Sequence, residues 1–193
     1  MCVGIDESNH GRFPEFYVAA FSEELEFLKR VVNPLIKIRN ENDLEGIISE
    51  IKFRWIIIPE DFSKFFLNRK DNIRLMAYIE FMRYFNRESK DPVFLIDRKL
   101  KEKEENIIRN IVLPYKSKII SETDGDMHYP IIHFADAIAN YLYKTHTKGK
   151  DNILDKWGKY LITPRPDEYN NLERRAKSKF DRELFRKKGV HWR

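Results

Sequence analysis

Two short apolar runs that end in carboxylates constrain this chain most. Cys2-Val3-Gly4-Ile5 leads into Asp6-Glu7, and Val93-Phe94-Leu95-Ile96 leads into Asp97. Apolar runs this short, closed by an acid, read as strands rather than helices, and the run before Asp97 reads as a buried central strand. In an open α/β sheet, ligands gather beyond the carboxyl ends of parallel strands. If the two strands are parallel neighbours, three carboxylates meet at one edge. Carboxylates that close repel one another unless a cation neutralises them, and a hard divalent ion with oxygen ligands suits them. Successive strand side chains face opposite ways, so Asp6 and Glu7 share a site only if the chain bends there. Asn9, Gly11 and Pro14 make a bend nearby plausible. The plainer alternatives are strand-end solvation for Asp6-Glu7 and a turn acid for Asp97.

The rest of the chain supplies partners for these strands. Residues 8–14 read as a loop, and Phe16–Ser22 as a further strand, antiparallel to the first through that short connection. A helix is expected from Glu23 to about Lys37. Residues 40–52 are open between helix and loop. Phe53–Ile58 is a third strand, stopped by Pro59. From Pro59 to Phe85 the pattern is helical, with Phe62, Phe65, Phe66, Ile73, Met76, Ile79 and Met82 as core positions. Residues 101–113 read as a helix, Lys116–Glu122 as a fifth strand and residues 123–130 as a polar loop. Ile131–Lys144 is then a helix, and one or two more follow. The expected fold is α/β: a mixed five-stranded sheet flanked by helices, with a helical basic C-terminus. One domain is expected over residues 1–193, with a core to about residue 146 and an extension from about 147.

A fourth acid stands inside the helix at 131–144. Ile131, Ala135, Ile138 and Leu142 recur at spacings of four, three and four, which makes one buried stripe. Asp136 lies off that stripe, with His133 and Asn140 three and four residues away. The small neighbours Ala135, Ala137 and Ala139 allow a close approach to the sheet. Alone, Asp136 would read as an acid on a wet helix face.

Taken together, these residues carry a resemblance. Gly4-Ile5-Asp6-Glu7 with the loop after it resembles the opening of type 2 ribonucleases H, the HII family. In that family an Asp-Glu pair ends the first strand, a third acid ends a later central strand, and a fourth stands in an Ala-Asp pair. Asp97 and Ala135-Asp136 match those by order and context. The segments Asp6-Glu7-Ser8 and Ala135-Asp136-Ala137-Ile138-Ala139 also resemble a poorly characterised group of ribonuclease H-like proteins, with His133 in place of that group's Gln. Where the HII enzymes have Gly-Arg-Gly, this chain has Ser8-Asn9-His10-Gly11-Arg12, and their Asp-Ser-Lys segment has no clear counterpart. The resemblance implies a ribonuclease H-like fold. It also implies a two-metal site for Mg²⁺ or Mn²⁺, held by Asp6, Glu7, Asp97 and Asp136, that hydrolyses phosphodiester bonds in RNA or an RNA/DNA hybrid. His10, Arg12, His133 and Asn140 are candidates for proton shuttling or phosphate contact. Structural hydrogen bonding is the plainer role for either histidine. Lys99 and Lys144 could also hold phosphates. Asp124 and Asp126 form another acidic pair, for which a solvated loop is the plainer reading.

Charge and composition bear on partners. The chain carries a net +5, yet residues 172–193 hold nine Lys/Arg against three acids, so the remainder is close to neutral. Arg174, Arg175, Lys177, Lys179, Arg186, Lys187 and Lys188 are therefore candidates for nucleic-acid binding; a solvated helix face is the alternative. The lone cysteine, Cys2, excludes an internal disulfide and a cysteine-built zinc site, and reads as a small buried residue. No basic leader precedes Val3, and no apolar run approaches the roughly 20 residues that span a membrane, so a cytoplasmic protein is expected. Two other functions fit the residues: a nucleic-acid-binding module without turnover, and a DNA-directed phosphoryl-transfer enzyme. Four acids favour catalysis, because a pure phosphate binder gains nothing from clustered negative charge.

Overall fold

The structure, a computed structural model, describes residues 1–8, 13–31, 38, 40–65, 70–149, 153–164, 169 and 171–187. Five strands form one sheet: β1 (Cys2–Ser8), β2 (Glu15–Ser22), β3 (Lys52–Ile58), β4 (Val93–Asp97) and β5 (Lys118–Glu122). Their order across the sheet is β3-β2-β1-β4-β5. β1, β2 and β3 pair antiparallel, while β4 runs parallel to β1 and β5 parallel to β4. The helices are α1 (Glu41–Ile48), α2 (Glu60–Phe65), α3 (Lys70–Glu88), α4 (Glu102–Val112), α5 (Pro130–Lys148), α6 (Ile153–Trp157) and α7 (Leu172–Lys187). The expected mixed five-stranded α/β sheet flanked by helices is thus the fold observed.

Strand alternation divides the core into two layers. Val3, Ile5, Phe94 and Ile96 face a layer built by α3, α4 and α7, where Ile73, Met76, Ile79, Met82, Ile108 and Leu172 are buried. Cys2, Phe16, Val18, Trp55 and Leu95 face the other layer, built by α1, α5 and α6. Every residue of β1 is buried, as a strand covered on both faces must be. The α5 stripe of Ile131, Ala135, Ile138 and Leu142 is buried against this other face. Pro130 starts α5, and Gly149 ends it at φ 61, where a side chain would strain the backbone.

One expected element is absent from the described part of its span. Instead of a helix from Glu23, there is a single 3-10 turn at Leu25–Leu28, and Lys29 is already extended. None of that turn's residues is buried, and Leu25 is 58% exposed. Phe27 and Leu28 of this turn pack on the α5 layer, Phe27 against Phe134, and Pro34 opposes a continuing helix. Residues 32–37 lie outside the described residues, as does Phe66. The helical stretch from Pro59 is described as α2 and α3, with residues 66–69 between them undescribed.

Candidate metal centre

The strand register sets the first two acids side by side. Gly4 pairs with Leu95 and Ile5 with Ile96 in the parallel ladder, so Asp6 and Asp97 follow on the next rung. Leu95 lies on the α5 face of the sheet, and Asp97, two residues on, points the same way. Gly4 lies under α5 so closely that a Cβ there would sit 2.4 Å from the Ile131 carbonyl oxygen. Asp6, two residues beyond Gly4, therefore faces α5, where the charge of Asp136 reaches it. Burial, then the negative charges of Asp97 and Asp136, push the Asp6 carboxyl well above its ordinary range. Asp6 is only 4% exposed and accepts a hydrogen bond from the Glu7 backbone N–H at 2.7 Å.

Two further contacts hold the other acids in place. The Asn140 amide donates to Asp136 Oδ1 at 2.6 Å, and Ser8 Oγ donates to Asn140 Oδ1 at 3.1 Å. This relay ties the end of β1 to α5. Asp97 accepts hydrogen bonds from the backbone N–H groups of Gly125 and Asp126. Burial raises its carboxyl, Gly125 opposes that, and the charge of Asp126 adds to the rise.

Residues 123–130 are more than a solvated loop. Asp124 adopts φ 57, a left-handed turn, and a 3-10 turn follows at Gly125–Met127. Tyr129 N–H closes onto Gly125 O at 2.8 Å, so the turn leads directly into α5. Gly125 is buried against Asp97 and Ile132. The turn brings Asp126 to α5, where ligand atoms of Asp126, His133 and Asp136 all lie within 4.8 Å of one another. The spacing of Asp126 from the helix could have hinted at this, but only the fold of the turn aims it inward. The donor set fits a divalent cation. Carboxylate oxygens suit Mg²⁺ and Mn²⁺, one imidazole is compatible with Mn²⁺, and Asp6 and Asp97 are raised first by burial and then by neighbouring carboxylates.

Glu7 departs from the expected arrangement. β1 continues unbent to Ser8, with Asp6 opposite Val18 and Glu7 opposite Tyr17 in the β2 ladder. No bend joins the two acids, and strand alternation sends Glu7 to the α3 face. There Arg74 Nε lies 3.5 Å from Glu7 Oε1, and Tyr78 Oη donates to Glu7 Oε2 at 3.3 Å. Glu7 still acts on Asp6 through its charge.

The remaining sequence candidates divide by position. Asn140 touches Asp136, and His133 stands in the cluster. Lys99 and Lys144 are exposed. His10, Arg12 and Lys188 lie outside the described residues. Arg174, Arg175, Lys177, Lys179, Arg186 and Lys187 are on α7, which buries Leu172 and Ala176 in the α3/α4 layer. The basic helix and the acidic cluster therefore occupy opposite faces of the sheet.

The chain matches no protein-family model and no curated protein. Among solved structures, it is similar to the RNase HII of Archaeoglobus fulgidus in its complex with PCNA. The TM-score is 0.61 at 18% identity, over 82% of this chain and 77% of that one. At that identity the likeness is one of fold, and the fold is ribonuclease H-like.

Proposed function

We propose that this chain is a divalent-metal-dependent nuclease that hydrolyses phosphodiester bonds in RNA or an RNA/DNA hybrid. One observation carries the proposal: ligand atoms of Asp126, His133 and Asp136 lie within 4.8 Å of one another, beside a buried Asp6 that feels the charges of Asp97 and Asp136. A protein gains nothing from such a cluster unless a cation occupies it. Asp6, Asp97 and Asp136 would hold Mg²⁺ or Mn²⁺, and Asp126 with His133 would extend the site to a second ion. When bound, such a pair supplies water activation and neutralisation of charge at phosphorus.

The chain's own residues orient and balance this site. Asn140 fixes the Asp136 carboxylate, and the Gly125 and Asp126 amides fix Asp97, so neither acid must reorganise on binding. His133, beside Asp126 and Asp136, is positioned to exchange a proton with a group at the cluster's edge. Glu7, held by Arg74 and Tyr78, contributes a fixed negative charge behind Asp6 and is a positioning residue in this reading.

The test is cleavage of labelled single-stranded RNA, RNA/DNA hybrid and DNA, with Mg²⁺ or Mn²⁺ and with EDTA. Metal-dependent cutting of RNA or hybrid that is lost in Asp6→Asn is the expected result. Cutting confined to DNA would overturn the substrate, and no metal-dependent cutting by folded protein would overturn the activity.

A further inference from the structure

The end of the molecule away from the acids carries another charged feature. α3 runs into the start of β4, and α4 runs into the start of β5, so the last turns of both helices lie at the edge of the sheet opposite Asp97. α7 lies beside α4, with Lys103 at the start of α4 paired to Glu173 and Lys179 Nζ donating to Ile111 O at 2.9 Å near its end. Between α3 and α7 are two adjoining cavities of about 570 and 470 Å³, which share Arg83, Ile111 and Lys179.

The cations of this groove are ordered in rows. On α7, Arg175, Lys179 and Arg182 recur at spacings of four and three, which is one helix face, and all three line the groove. On α3, Arg83 and Arg87 are four residues apart and line it from the other side. Among the described lining residues, five cations stand against two acids, Glu80 and Glu183. Arg83 is fixed by Glu80 at 3.3 Å and by the Tyr169 hydroxyl at 2.9 Å. Burial first, then the charge of Arg83, hold the Lys179 ammonium below its ordinary range; Glu183 opposes this and Arg182 adds to it. Tyr115, 40% exposed, stands on the rim of the same groove.

We propose that the groove between α3 and α7 binds a single strand of nucleic acid through its phosphates, at a site separate from the acidic cluster. The row from Arg175 to Arg182 extends about 10 Å along the helix, enough to face two or three consecutive phosphates rather than one. Exposed Tyr115 offers a face on which a base can stack, and stacking tolerates any sequence. The groove serves as a holding site for a flanking or displaced strand. It shares with the proposed function its nucleic-acid partner only, and needs neither the acids nor a metal.

The experiment is fluorescence anisotropy of a labelled oligonucleotide of about ten nucleotides, in EDTA, across a salt series. The variants are Arg87→Ala/Arg182→Ala, both exposed, and the charge-matched control Arg174→Ala/Lys177→Ala, also exposed on α7 but lining neither cavity. The groove variant is expected to bind at least about tenfold more weakly, with the slope of log K against log salt reduced by about 1.4, or 0.7 for each lost phosphate contact. The control should bind as the wild type does. Equal losses in groove variant and control would show diffuse attraction to α7 and overturn the inference. Binding of a nucleoside triphosphate but not the oligonucleotide, or of neither, would also overturn it. Because no metal is present, each outcome stands apart from the cleavage assay.

Discussion

Gly4→Ala is the sharpest test of how the acids are assembled. An added Cβ would lie 2.4 Å from the Ile131 carbonyl oxygen, 2.5 Å from its carbon and 2.6 Å from the Ile132 nitrogen. All three are backbone atoms, so no side chain can rotate aside. Ordinary contact begins at 3.4 Å, so the start of α5 must withdraw from β1 by about 1 Å. Overpacking typically costs about 1–3 kcal/mol, and a backbone clash belongs at the upper end. For a chain this long each kcal/mol lowers Tm by about 2–4 °C, so a fall of roughly 6–12 °C is expected. The functional effect is larger than the thermal one. Ligand positions must hold within about 0.2 Å to keep a metal, and α5 carries Asp136 and His133 with it. Gly46→Ala is the matched control, because nothing lies within 4 Å of a Cβ there and Ala favours the helix by about 0.5–1 kcal/mol. The assays are thermal melting and Mn²⁺ binding followed by electron paramagnetic resonance. A Gly4→Ala protein that melts within about 2 °C of wild type and binds Mn²⁺ equally would refute the close approach of α5 to β1 as the feature that assembles the site.

Two further substitutions probe the charges. Because burial, Asp97 and Asp136 raise Asp6, the folded chain holds that proton more tightly than the unfolded chain does, and metal-free stability falls as pH rises from about 4 toward neutrality. Asp6→Asn should therefore melt higher than wild type in EDTA at neutral pH, with a shallower dependence on pH; an Asp6→Asn protein that melts lower there would contradict the repulsion. Mg²⁺ at a hundred times its Kd should stabilise the wild type by about 2.7 kcal/mol and the variant little. Asn140→Ala should weaken Mn²⁺ binding by about 10–100-fold by releasing Asp136, while the variant stays folded by circular dichroism. Unchanged Mn²⁺ affinity there would mean that the Ser8–Asn140–Asp136 relay does not position the acid.

The local elements are legible in the chain itself. Apolar runs of four residues closed by acids mark β1 and β4 because a strand buried on both faces has no polar alternation to disguise it. The 131–142 stripe marks α5 because a helix packed on a sheet repeats its contacts every three or four residues. Which acids share a face is a property of the packed layers. Asp6 and Glu7 are neighbours in the chain, yet an unbent strand sends them to opposite layers. Asp126 lies in a segment with no periodicity to read, and only the left-handed turn at Asp124 brings it to His133 and Asp136. The basic residues of the C-terminus are plain in composition, but their separation from the acids follows from α7 docking on α4, a contact between distant segments. Periodicity and strand ends are short-range consequences of burial, so a sequence displays them. The convergence of side chains depends on register and on which face each helix covers, and those are settled only when the layers pack.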